Sequence, residues 1–261
     1  MIPLKALALG LAQGLTEFLP ISSSGHLVVL SEALGTELGK SVPFDVALHA
    51  ATLLAVLVYF RGRVASIVRG MVRPSSSGEG KVGWLILLGT LPAAVAGVLF
   101  DRPIERLFSS ARAAGGCFLA TALILALADG LGGRRKAVEM GALDALLIGL
   151  AQAGALLPGI SRSGMTISAG LWRGLSRSEA PQFAFLLSVP AILGATAFKV
   201  REMAQGPSGW ADLVAGFGAA FLSGLLAIWV TMGAVRARKL RYFSLYLSAL
   251  GVTVLLASAR R

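Results

Sequence analysis

The chain has 261 residues, of which 56% are hydrophobic and only 14% charged, against roughly a quarter charged in ordinary soluble domains. Its mean hydropathy is +0.77. So few charges cannot cover a water-soluble globule of this size, which excludes a soluble domain. The net charge of +11 invites a nucleic-acid reading, but Lys and Arg are scattered between apolar blocks with no aromatic-studded basic stripe, so no nucleic-acid partner is expected.

In chain order the apolar blocks fall into two kinds. Six are long enough to cross a bilayer: Phe44 to Phe60, Val82 to Phe100, Ala113 to Leu131, Pro181 to Val200, Ala211 to Met232 and Tyr242 to Ser258. Two others, Leu4 to Leu34 and Gly141 to Leu171, are broken near the middle by Pro, Gly and Ser, at Leu19-Pro20-Ile21-Ser22-Ser23-Ser24-Gly25-His26 and Leu157-Pro158-Gly159-Ile160-Ser161-Arg162-Ser163-Gly164. Broken backbone at membrane depth is tolerated only when buried in protein or lining a wet cavity, so each reads as a re-entrant helical hairpin. Continuous Leu/Ala/Val blocks and 32 glycines point to closely packed helices and away from a β-barrel, whose strands would alternate over about ten residues. The expected fold is therefore an all-α integral membrane protein with six transmembrane helices plus two re-entrant hairpins. The lone Cys117 rules out an internal disulfide and reads as a packing residue. The first apolar stretch carries Gln13 and Glu17 with no convincing cleavage site after it, so no cleavable signal peptide is expected.

Loop charges set the orientation. Placing Arg61, Arg63, Arg69, Arg73 and Lys81 in the cytoplasm also puts Arg134, Arg135, Lys136, Arg173, Arg177, Arg236, Arg238, Lys239 and Arg241 there, fourteen basic residues against nine outside. An internal repeat sharpens the picture. Sliding the chain by 139 residues aligns Gly10-Leu11-Ala12-Gln13 with Gly149-Leu150-Ala151-Gln152, Ile21-Ser22 with Ile160-Ser161, Ser24-Gly25 with Ser163-Gly164, and Phe44 with Phe183. Each unit, 1–131 and 139–261, is then one hairpin plus three spans, so the second is inverted relative to the first. Such folds bring their broken helices together near the midplane. The Gly10 and Gly14 pair permits close helix contact, within the chain or across a homodimer.

Glu17 and Arg162 are ionisable residues in apolar surroundings, each costing about 2.5–3.5 kcal/mol at the bilayer centre on insertion scales. The cheapest arrangement has them share one wet pocket; a salt bridge that merely holds the halves in register is the plainer option. Gln13 and Glu17 are four apart and share a helix face, where a carboxylate beside an amide suits a proton or a divalent cation. Ser22, Ser23 and Ser24, and in the other unit Ser161 and Ser163, can cap the half-helices that follow, whose amides and dipoles form anion sites. Arg162 offers a planar fork suited to phosphate oxygens, and Thr166 lies one turn further on. His26 is either an acid, base or nucleophile or a residue that satisfies a helix end. Asp45 and His49 sit in a span with no comparable cluster, and His49 reads as a packing or supporting residue. Gly159 and Gly164 have P-loop spacing, but Met165 stands where Lys is needed and no strand precedes. Ser24-Gly25-His26 and Ser161-Arg162 echo phosphohistidine lipid phosphatases, yet no His follows Ser161-Arg162 at the required spacing.

The segments Gln13 to His26 and Pro158-Gly159-Ile160-Ser161-Arg162-Ser163-Gly164-Met165-Thr166, together with Phe44-Asp45-Val46-Ala47-Leu48-His49, resemble the signatures of bacterial undecaprenyl-diphosphatases, the bacitracin-resistance family. The resemblance spans nearly the whole chain. It implies an enzyme of the bacterial cytoplasmic membrane that dephosphorylates the C55 polyprenyl diphosphate carrier, with a site opening to the outer face. By position it assigns the catalytic and phosphate-binding roles to Glu17, Ser23, His26, Arg162, Ser161, Ser163 and Thr166, among which Glu17, His26, Ser23 and Arg162 are the expected catalytic residues. The anion-site reading of the half-helices adds Ser22 and Ser24 to the phosphate binders. A Mg²⁺ or Ca²⁺ ion at Glu17 and Gln13 is the expected cofactor, although Gln13 replaces the Glu of some members and removes one ligand or base. The nucleophile is His26, Ser23 or a water positioned by Glu17. A prenyl-phosphate transporter using the same pocket is the competing reading, because inverted repeats with broken helices are common in transporters.

Overall fold

The structure is a computed structural model and describes residues 3–73, 78–108, 111–199 and 209–259. Eleven helices follow in order among these residues: α1 (Leu4–Phe18), α2 (Ser23–Ala33), α3 (Val42–Tyr59), α4 (Arg61–Val72), α5 (Glu79–Phe108), α6 (Ala111–Asp129), α7 (Ala142–Gly154), α8 (Arg162–Trp172), α9 (Glu179–Lys199), α10 (Trp210–Arg236) and α11 (Leu240–Ala259). Six are long and apolar enough to cross a membrane, at Val42–Tyr59, Glu79–Phe100, Arg112–Asp129, Glu179–Ala197, Trp210–Arg236 and Leu240–Ala259. Each matches one expected span, and the chain is a multi-pass membrane protein. Val200, the expected end of the fourth span, lies outside the described residues. The second and fourth spans start a few residues early because Glu79 and Glu179 occupy first turns, where an acid complements the helix dipole. Large apolar side chains such as Val98 (77% exposed) and Leu222 (65% exposed) cover the outside, as lipid solvation requires.

Both broken blocks fold as helix, break, helix. Pro20 and Pro158 interrupt the backbone hydrogen-bond ladder. The chain resumes as α2 and α8, each of eleven residues. The amphipathic α4, with Arg61, Arg63 and Arg69 among its residues, was not among the expected elements. Its low apolar content hides it from a search for spans, and it lies between the ends of α3 and α5.

Packing of the hairpins is reciprocal. α1 lies along α10 and α7 lies along α5, and both crossings are made at glycine. A Cβ on Gly10 would run into the Gly216 carbonyl oxygen, and one on Gly149 into the Gly89 carbonyl oxygen. Gly14 sits equally close to the α10 backbone at Ala220 and Gly224. The Gly10 and Gly14 face is thus buried within the chain. Phe18, at the end of α1, packs edge-on against Phe185 of α9 with ring centroids 5.4 Å apart, which anchors the first break to the core.

One end of the bundle carries a polar layer built from the arginines expected in the cytoplasm. Arg63 donates to Glu179 Oε2 (2.8 Å) and Gln182 Oε1 (2.7 Å). Arg177 donates to the Asp129 and Val235 carbonyls, capping the ends of α6 and α10. Asp144, in the first turn of α7, accepts from Arg135 (2.8 Å), Arg173 (2.7 Å) and the Gly141 N–H (2.9 Å). Burial raises its pKa, but the amide and the two guanidiniums outweigh that and hold the carboxyl at about 2. A depressed carboxyl contributes stability above its unfolded value, near 4, and loses it as pH falls toward 2. Asp144→Asn should therefore destabilise the detergent-solubilised protein by about 1–2 kcal/mol at pH 7, a figure discounted for the part-exposed arginines. In thermal unfolding the gap from the parent should narrow steadily between pH 5 and pH 2.

Candidate active site

The two breaks meet. Glu17 lies at the end of α1 and Arg162 at the start of α8, and an Arg162 Nη2–H donates to Glu17 Oε1. Glu17 Oε2 accepts from the Ser23 hydroxyl at 2.6 Å and from Gln13 Nε2 at 3.2 Å. The carboxylate therefore collects a guanidinium from the second half of the chain, a hydroxyl from α2 and an amide from one turn back on α1. Glu17 is only 7% exposed, so unpaired it would carry a heavy desolvation cost. Glu17, Arg162 and Ser23 line a cleft of about 300 Å³ whose wall also includes Ser22, Ser24, His49 and Ser161, with Gln13 buried behind it.

Both half-helices aim their N-termini at this cleft, and their ends are finished differently. Ser161 caps α8, its hydroxyl accepting from the Gly164 N–H at 3.1 Å. Ser22 stands at the corresponding place before α2 but makes no cap. Its φ of 71° is the left-handed region that serine seldom adopts, at a cost of about 1–3 kcal/mol, and its hydroxyl turns to Ser24 Oγ at 3.4 Å. Ser23 is the first residue of α2 and points its hydroxyl at Glu17. The expected Ser22 cap is thus absent from the first hairpin while Ser161 caps the second, so Ser22 does not compete for the N-terminal amides of α2.

The remaining expected site residues separate into two groups. Ser163 donates to the Leu19 carbonyl (3.1 Å) and pairs with Ser161 Oγ (3.2 Å), while Thr166 donates back to the Arg162 carbonyl (2.8 Å). Both hydroxyls already serve protein acceptors: Ser163 stitches the second break to the first, and Thr166 closes the first turn of α8. His26 lies outside the lining of the cleft. Its Nδ1 is 2.7 Å from the Ser22 carbonyl and its Nε2 2.6 Å from the Tyr246 hydroxyl, with the two rings stacked. A carbonyl only accepts, so Nδ1 carries the hydrogen it donates to Ser22, while Nε2 pairs with the Tyr246 hydroxyl. His26 thereby clasps the carbonyl of strained Ser22 to α11.

His49 is the residue that the sequence did not place here. The family resemblance includes the segment Phe44–His49 but assigns His49 no role, and only the seating of α3 against α1 brings its ring to the cleft. Its Nδ1 donates to the Asp45 carbonyl at 3.0 Å and lies 3.4 Å from Asp45 Oδ1. Asp45 lines a larger cavity of about 590 Å³ between α2 and the start of α3, which shares Ser24 with the cleft. This vestibule lies at the end of the bundle opposite the arginine layer.

A divalent cation can be tested against these donors. Among the described residues no three His, Cys, Asp or Glu side chains cluster as a metal site. Gln13 Oε1 is buried without a hydrogen-bond partner, and with one oxygen of the Glu17 carboxylate it makes two. That suits an ion that takes most of its coordination from a bound phosphate, as Mg²⁺ commonly does.

Comparison with known proteins bears on the same residues. A family model described as bacitracin resistance protein BacA matches residues 6–253. An undecaprenyl-diphosphatase of Elusimicrobium minutum is 42% identical over 99% of each chain. One of Carboxydothermus hydrogenoformans is 42% identical over 98% of this chain and 97% of its own. One of Alkaliphilus metalliredigens is 37% identical over 99% of each.

Proposed function

The chain belongs to the bacitracin resistance protein BacA family, and from that membership and the geometry of the cleft we propose how it works as an undecaprenyl-diphosphatase. It hydrolyses the diphosphate of the polyprenyl carrier to the monophosphate and phosphate. The observation that carries the mechanism is the Glu17 carboxylate, held on one oxygen by Arg162 and on the other by the Ser23 hydroxyl.

Before substrate arrives, Arg162 and Glu17 neutralise each other. A diphosphate entering the cleft competes for the guanidinium, which forks onto phosphate oxygens, with the open N-terminus of α2 adding dipole and amides. Glu17 then gives up its counter-ion and is free to take the Ser23 proton at Oε2. Ser23 Oγ attacks the terminal phosphorus, the P–O bond to the bridging oxygen breaks, and that oxygen leaves with its electron pair on the lipid monophosphate. Glu17 passes the Ser23 proton to the departing phosphate oxygen. Water then attacks the phosphoserine, giving a proton to the freed Glu17 carboxylate, which returns it to the leaving Ser23 oxygen as phosphate is released. Ser22, Ser24 and Ser161 offer further groups to the phosphates. Ser163, Thr166 and His26 act as positioning residues, each holding one of the breaks. Gln13 Oε1 and Glu17 Oε1, the oxygen that Arg162 gives up, are the groups that would hold Mg²⁺ or Ca²⁺, which would supply positive charge against the diphosphate.

The reciprocal crossings at Gly10 with Gly216 and Gly149 with Gly89 support reading 1–131 and 139–261 as inverted repeats with re-entrant hairpins. The arginine layer and the vestibule at opposite ends support a site opening outward from the bacterial cytoplasmic membrane. The test uses purified protein in detergent, where transport has no meaning. Phosphate should be released from farnesyl diphosphate, and rapid quenching with labelled substrate should trap phosphate on Ser23 but not in Ser23→Ala. Release without any covalent species would replace Ser23 by a water held on Glu17.

A further inference from the structure

The mechanism above uses one cationic side chain, Arg162, for a substrate with two phosphoryl groups. The cleft wall holds a second candidate. His49 comes from α3 whereas Arg162 comes from α8, and the Nδ1 edge of the His49 ring is taken by its own helix, through the Asp45 carbonyl and carboxylate. What the ring has to offer the cleft is therefore its Nε2 edge. The Asp45 carboxylate 3.4 Å from Nδ1 favours the imidazolium form, in which Nε2–H is presented as a donor. The location fits an extended anion. Asp45 borders the vestibule, His49 borders the cleft, and Ser24 borders both, so the pair stands where a substrate would pass from one to the other. A cleft of about 300 Å³ has the volume of roughly ten waters, enough for the two phosphorus and seven oxygen atoms of a diphosphate.

Resting on the diphosphatase reading, we propose that His49 is a substrate-contacting residue that binds the second phosphoryl group, Arg162 binding the first, and that Asp45 positions the ring. Two anchors on two helices distinguish a diphosphate from a monophosphate. The substrate engages both and the product only one, which favours release after each turnover.

The test measures the affinities of inorganic pyrophosphate and inorganic phosphate for the detergent-solubilised full chain by calorimetry. His49→Ala should weaken pyrophosphate about tenfold and leave phosphate within about twofold. His49→Gln keeps a neutral donor of similar length and should recover part of the loss, holding it to about threefold; it also serves if the alanine variant fails to fold. With farnesyl diphosphate, KM should rise with kcat nearly unchanged. Unchanged pyrophosphate affinity in both variants, or equal losses for the two anions, overturns the assignment. If the parent protein releases no phosphate at all, the enzymatic reading fails separately, and the pyrophosphate comparison still decides whether His49 is an anion anchor.

Discussion

Glu17→Ala and Arg162→Ala should each lower phosphate release from farnesyl diphosphate by at least about a thousandfold, the scale seen when a charge-stabilising or activating group is removed from a preorganised site. Each also breaks a buried pair and strands the remaining charge, a change that costs about 3–5 kcal/mol. Loss of activity could then be mistaken for loss of fold, and a double variant separates the two. Glu17→Gln with Arg162→Met removes both charges together, so its thermal unfolding in detergent should recover toward the parent while its activity stays abolished. Arg162→Lys keeps the charge without the planar fork and should lose about 10–100-fold. A double variant that regained turnover would show that the pair only fastens the two hairpins together.

The second large effect concerns the helix crossings. Gly14→Leu and Gly149→Leu place side chains where the neighbour is backbone, at Ala220 and Gly224 in one case and Gly89 in the other. Backbone cannot rotate away as a side chain can, so each should destabilise by at least about 3 kcal/mol and strongly reduce the yield of monodisperse protein in detergent. Gly218→Leu, on α10 with open space around it, makes the same change in composition and should behave as the parent. Equal behaviour of all three would mean that the two hairpins do not lean on α10 and α5 as described.

Much of this arrangement was legible before any coordinates. Spans are visible because lipid demands long apolar runs, and the breaks because Pro, Gly and Ser interrupt them. Glu17 and Arg162 stand out because a charge is costly in such runs and needs a partner or a wet pocket. What escaped notice depends on contacts between distant segments. His49 looks like any histidine in an apolar helix until α3 is set against α1. His26 has the chemistry of a catalyst, yet its spacing of four from Ser22 lets the ring bond back to that carbonyl, and its other partner, Tyr246, lies 220 residues further along. The missing serine cap on α2 was not readable either, since Ser22 and Ser161 occupy matching positions and only their backbone angles differ.

The interlocking of the hairpins also bears on how the molecule is made. Gly10 finds its partner only at Gly216, so the first hairpin must wait for about two hundred further residues to leave the ribosome. At 5–20 residues per second that delay is on the order of 10–40 s. Through much of it the acid of the first hairpin has no guanidinium to meet, because Arg162 is still being synthesised or inserted. The nascent chain therefore passes through a stage in which a lone carboxylate must be sheltered by the insertion machinery or kept at the aqueous boundary. Neither half can mature by itself, and the site closes only when the last spans are delivered.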